Sequence, residues 1–171
     1  DVKFEKLLHL CEYYGIKRNL NQKYFKKAAG PFDNKFTYPY FQQIEKDKLF
    51  IRRKVGQQYV FKKGEKHSAS EKYYNYFSDE EFKKIDKIIN YFKTSSYEPA
   101  EIVSTLYAVW NNRIISGEDI SDELLIADFY NWDTSKKRYK EERLHKALNW
   151  MRENEFVPDG WGNRIETKTA S

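Results

Sequence analysis

One cysteine, Cys11, is too few for an internal disulfide and fits a chain kept in a reducing compartment. Metal-ligand spacing is missing too. The three histidines, His9, His67 and His145, fall in separate segments, and Cys11, two residues from His9, makes no paired-ligand spacing of the kind a bound metal needs. No apolar run approaches the roughly 20 residues of a membrane span, and the N-terminus has no leader pattern. The phosphate-cradling GxxxxGK[ST] and GxGxxG patterns, the HExxH helix and the GxSxG elbow are all absent. Together these absences point to a cytoplasmic chain with no metal, no cofactor, no membrane partner and no catalytic residues. The first residue is Asp1 rather than Met, which reads as a fragment of a longer protein.

What the chain has in abundance is aromatic rings and charge. Aromatic residues make up 18% of the 171 residues, including 14 Tyr and 12 Phe, so its cores are built from rings as much as from aliphatic groups. The net charge of +5 is unevenly spread. Residues 1–68 hold 16 Lys and Arg against 7 Asp and Glu, a balance of +9, which leaves −4 for the rest. A basic first part suggests a polyanionic partner, nucleic acid being the natural candidate; a well-solvated lysine surface is the plainer reading.

Along the chain, residues 4–14 carry Phe4, Leu7, Leu8, Cys11 and Tyr14 at helical spacing, with Gly15 as the stop. A short helical turn is expected at 24–29 and a second helix from Asp33 or Asn34 to about Lys46, with Phe36, Tyr40, Phe41 and Ile44 inward. Pro39 argues for a start nearer Tyr38. Two β-prone runs, 49–55 and 58–63, flank Gly56-Gln57 and read as a hairpin. Two capping boxes follow, Ser68 with Glu71 and Ser78 with Glu81. Helices are then expected at Asp79–Phe92, 99–116, Asp122–Tyr130 and 135–153, with residues 156–161 folding back over them. The fold class is mainly α with a small β-hairpin, arranged as two winged-helix-like (helix-turn-helix) modules. The division runs 1–66 for a basic winged-helix-like module, 67–96 for connecting helices, 97–165 for a trihelical module and 166–171 for a disordered tail.

Two groups of cations stand out as candidate phosphate contacts. Arg52, Arg53, Lys54, Lys62 and Lys63 crowd the hairpin, interleaved with Phe50, Tyr59 and Phe61. Lys136, Lys137 and Arg138 open the last expected helix, where the macrodipole disfavours cations by ~0.3–1 kcal/mol each. Either they face phosphate or pairing four residues on engages them, Lys137 with Glu141 and Arg138 with Glu142. Tyr73, Tyr74 and Tyr76 read as packing residues or a partner surface rather than base-stacking platforms. Pro158-Asp159 with Glu166-Thr167-Lys168 imitates the PD…ExK set of Mg²⁺ nucleases, but the short spacing and the absence of surrounding strands make it a chance pattern.

Three stretches carry a family resemblance: Lys26-Lys27-Ala28-Ala29-Gly30-Pro31-Phe32-Asp33, the run from Glu101 to Asn112, and the run from Arg143 to Arg152 with its continuation to Gly162. With them the chain resembles a C-terminal accessory domain of bacterial restriction-modification proteins. The nearest likeness is to specificity subunits of type I restriction enzymes; related N6-adenine methyltransferases come next. The Gly-Pro element is also similar to Panacea domains, where it sits in a helical interaction fold. The resemblance implies a non-catalytic DNA-binding and assembly role beside other restriction-modification subunits, which would carry the S-adenosylmethionine and ATP chemistry. It offers no catalytic residue to carry over. The expected partners are double-stranded DNA and those subunits; the alternative is a docking module for a methyltransferase or translocase subunit.

Overall fold

A computed structural model describes residues 2–56 and 58–167. Helix α1 (Val2–Leu10) runs directly into a π-helical turn, Cys11–Ile16. Lys17 closes that turn in the left-handed region (φ +50°), its N–H donating to the Glu12 carbonyl at 2.8 Å. Gly15 therefore lies inside the turn rather than ending the helix.

Where a helical turn was expected at 24–29, two short antiparallel strands form instead: β1 (Phe25–Lys27) and β2 (Gly30–Phe32). The reason is tertiary. Gly30 (φ +111°) lies so close to a neighbouring helix that a Cβ there would stand 2.7 Å from Thr105 Oγ1. The Lys6 ammonium donates to the Pro31 carbonyl at 2.5 Å.

Helix α2 (Asn34–Lys46) starts at the earlier of the expected positions. Asp33 caps it, accepting from the N–H groups of Lys35 and Phe36 at 3.0 and 3.2 Å, which outweighs the backbone bond that Pro39 removes inside the helix. Its buried face is Thr37, Phe41 and Ile44, while Tyr40 is exposed. Strands β3 (Phe50–Val55) and β4 (Gln58–Lys63) pair antiparallel across all six positions. A 3₁₀ strap, His67–Tyr76, leads to α3 (Asp79–Phe92), and Ser68 caps no α-helix there. Ser78 and Glu81 do form the capping box at the start of α3. Then come α4 (Tyr97–Ser116), α5 (Asp122–Tyr130), a 3₁₀ turn (Thr134–Arg138) and α6 (Glu141–Glu153).

The described chain is thus mainly helical, with two small antiparallel sheets. Helix α4 is its axis. Every residue from Ala100 to Asn111 is buried, as expected of a helix without a polar face, and α1, β2, α5 and α6 all pack on it. One hydrophobic cluster joins Leu10, Tyr13 and Tyr24 to Ile88 and Phe92 of α3 and to Leu106, Phe129 and Leu148. The cluster thus draws residues from all three stretches 1–66, 67–96 and 97–165.

Residues 156–161 fold back as expected, and the returning segment continues to Glu166. Phe156 and Ile165 are buried. Asn112 donates to the Ile165 carbonyl and accepts from its N–H, both at 2.9 Å. Asn111 does the same with the Trp161 carbonyl and the Gly160 N–H. Glu166, counted with the frayed tail, pairs with β1 through the Lys26 N–H at 2.9 Å; residues 168–171 lie outside the described residues.

Candidate nucleic-acid interface

The β3–β4 hairpin turns at Gly56 (φ +61°), with Gln57 outside the described residues. Its base is sealed by Gly64, whose N–H donates to the Leu49 carbonyl at 2.9 Å. A Cβ on Gly64 would lie 2.1 Å from the Lys48 carbonyl oxygen, so no other residue fits.

The register sorts the side chains between two faces. Phe50, Arg52 and Lys54 share one with Tyr59, Phe61 and Lys63; Ile51, Arg53 and Val55 share the other with Val60 and Lys62. The first face packs on the body. The Phe61 ring centroid lies 5.8 Å from that of Phe4 and 5.3 Å from that of Phe41. Arg52 belongs to this anchorage. Its guanidinium sits 4.8 Å from the Phe41 ring and 4.6 Å from the Tyr59 ring, and its Nε is 3.8 Å from Glu45 Oε1. It braces the hairpin on α2 and is withdrawn from the set of phosphate contacts. Arg53, Lys54, Lys62 and Lys63 are exposed and, among the described residues, have no carboxylate partner. Arg53 and Lys62 share their face with Ile51, Val55 and Val60, which are also exposed, while Lys54 and Lys63 lie on the other face.

The second cation group does not form a surface. Lys136, 0% exposed, ends 2.8 Å from the Glu101 carboxylate of α4 and 3.2 Å from Thr105 Oγ1. Arg138 reaches both Glu101 oxygens at 2.9 Å, and Glu101 is itself 1% exposed. The pairs that helical spacing suggested, Lys137 with Glu141 and Arg138 with Glu142, do not form among the described residues; Glu142 is taken by Lys146 at 2.6 Å. Only Lys137 of the three faces solvent without a described partner. The apparent affront to the helix dipole also disappears, because α6 begins at Glu141 with Glu141 and Glu142 in its first turn. Burial pushes the Lys136 ammonium below its ordinary pKa, opposed by its bond to Glu101. Lys6 lies in the same region and is lowered to about 8, chiefly by burial.

Sequence reasoning missed Glu101 as the organiser of this cluster. The clue was there: a lone carboxylate at the head of a run that is otherwise uncharged needs a buried cation. Of the two readings of Tyr73, Tyr74 and Tyr76, packing residues or a partner surface, exposures of 46, 56 and 68% disfavour the packing one. The nuclease-like set does not assemble among the described residues. Asp159 is ion-paired with Lys17, which lowers its pKa, Lys168 lies outside the described residues, and no cluster of three metal-ligating side chains occurs among them. No helix among the described residues is long and apolar enough to cross a membrane.

Comparisons of the chain with protein-family models, with curated proteins and with solved structures find no match.

Proposed function

We propose that this chain is a non-catalytic DNA-binding and assembly domain that grips the duplex backbone with the β3–β4 hairpin, used as the wing of a winged-helix-like module. The observation that carries the reading is the cluster of Arg53, Lys54, Lys62 and Lys63, four exposed cations without described carboxylate partners on one braced hairpin. Lys62 and Arg53 are diagonal neighbours on the outer face, close enough to engage one stretch of backbone together. Contacts of this kind give affinity and position without reading sequence. The resemblance to accessory domains of type I specificity subunits supplies the setting: a restriction-modification complex whose other subunits hold the chemistry.

The test is fluorescence anisotropy with duplex DNA across a salt series. Log Kd should depend steeply on log salt, and changing Arg53, Lys54, Lys62 and Lys63 together to Ser should flatten the slope by up to about 3–4, at ~0.9 for each phosphate left unneutralised. Arg52 is left in place because it holds the hairpin. An unchanged slope in the variant rejects the hairpin as the contact. A second reading, a docking module for a methyltransferase or translocase subunit, is favoured by the exposed Ile51, Val55 and Val60 on the same outer face.

A further inference from the structure

The 3₁₀ strap has no buried residue over its ten positions, yet it is firmly held at both ends. At one end Lys66 N–H donates to the Lys48 carbonyl at 3.0 Å, and the His67 ring stands 6.3 Å from Phe50 of the hairpin. At the other, Phe77 packs edge-on against Phe82 of α3 with centroids 5.5 Å apart. Between these anchors Tyr73, Tyr74 and Tyr76 stand in solvent. Their rings are ordered against neighbours: Tyr73 and Tyr76 at 6.2 Å and 31°, Tyr74 edge-on to Phe82 at 5.3 Å, and the Lys72 ammonium 5.1 Å from the Tyr73 ring.

Exposed lysines accompany the rings, beside one exposed carboxylate of the strap, Glu71. Lys62, Lys63 and Lys66 lead into the strap and Lys72 lies within it, all exposed. Several nearby carboxylates are already occupied: Glu65 by Lys48 at 2.9 Å, Glu80 by Lys84 at 3.1 Å and Glu81 by Arg18 at 2.9 Å. Protein interfaces are poor in lysine, whereas exposed rings beside lysines are what a stacked single strand requires. A duplex offers no free base faces to three tyrosines set within four positions.

We infer that the strap is a track for single-stranded nucleic acid, in which Tyr73, Tyr74 and Tyr76 stack on bases and Lys66 and Lys72 neutralise the backbone. This deepens the nucleic-acid reading above and rests on it: the hairpin takes duplex backbone, and the strap takes strand whose bases have come unpaired.

The experiment compares fluorescein-labelled oligo-dT of about 20 nucleotides with a duplex of equal length, using the whole chain. Two variants are measured: Tyr73, Tyr74 and Tyr76 all to Ala, and the same three all to Phe. The Ala variant should bind oligo-dT at least about tenfold more weakly while its duplex affinity stays within about twofold. The Phe variant, which keeps the ring faces, should bind as the parent does. Unchanged oligo-dT binding by the Ala variant overturns the track, and so does equal loss for strand and duplex, or a Phe variant as weak as the Ala variant. The hairpin variant separates the two readings. If it binds duplex as the parent does while the Ala variant loses oligo-dT, the wing reading fails and the track stands. If the parent binds neither probe, both fail.

Discussion

Tyr13, Tyr24 and Tyr107 enclose the His9 ring at centroid separations of 4.8, 5.2 and 6.1 Å, and this enclosure decides its protonation. Nδ1 shares a 2.9 Å hydrogen bond with the Ser104 hydroxyl, and Nε2 is buried without a partner among the described residues. Burial first, and the Lys6 ammonium second, lower the pKa from 6.5 to about 3. Between these values the unfolded chain binds a proton that the folded chain refuses, so stability is complete above 6.5 and is lost as pH falls toward 3. Urea unfolding at pH 7 and pH 5 should show a loss of about 2 kcal/mol attributable to this group. A His9→Gln variant should lose correspondingly less; parallel losses would mean that another group titrates. Glu101 makes a second prediction. Glu101→Ala strands the buried Lys136 and frees Arg138, at a cost of about 3–5 kcal/mol. Glu101→Leu with Lys136→Met should recover most of that, because two apolar side chains replace a desolvated ion pair. Urea midpoints of the two variants decide it.

Elements were legible in the sequence where their signals are local. Helix α3 runs over the expected residues because Ser78 and Glu81 satisfy each other's backbone N–H groups, and α5 does so because the Ser121 hydroxyl accepts from the Leu124 N–H. They were illegible where a distant residue decides. The Lys26–Phe32 region is a strand pair because Gly30 abuts Thr105, and α6 starts late because Lys136 is drawn inward to Glu101, 35 residues away in sequence. The site divides in the same way. Cation density marked the hairpin, but only the pairing register separates Arg52, facing α2, from Arg53, facing solvent. The Trp110-Asn111-Asn112 motif proves to be a clamp, each Asn amide gripping the backbone of the returning segment in both directions. Asn112→Ala should therefore cost about 1–3 kcal/mol and speed hydrogen exchange at the Ile165 amide, with α4 amides unaffected. Uniform acceleration along α4 would mean that Asn112 supports the helix instead of the segment.

On the scale of the whole molecule, the hydrophobic core and the hairpin are separable. The buried cluster includes residues from α1, α3, α4, α5 and α6 but none from β3 or β4. The hairpin touches the body through Phe61 against Phe4 and Phe41, and through Arg52 over Phe41. Its two ends meet where the Gly64 N–H bonds the Leu49 carbonyl, so residues 50–63 can be replaced by a short glycine linker without pulling the ends apart. Removing the Phe61 ring from its place on Phe4 and Phe41 should cost about 2–3 kcal/mol, which lowers Tm by roughly 5–10 °C for a chain of this size. The shortened chain should still unfold in a single calorimetric transition, because α4 remains packed by α1, α5 and α6. Its salt-dependent duplex binding should vanish. Two transitions would show that the parts before and after the strap fold separately, and retained duplex binding would move the contact away from the hairpin.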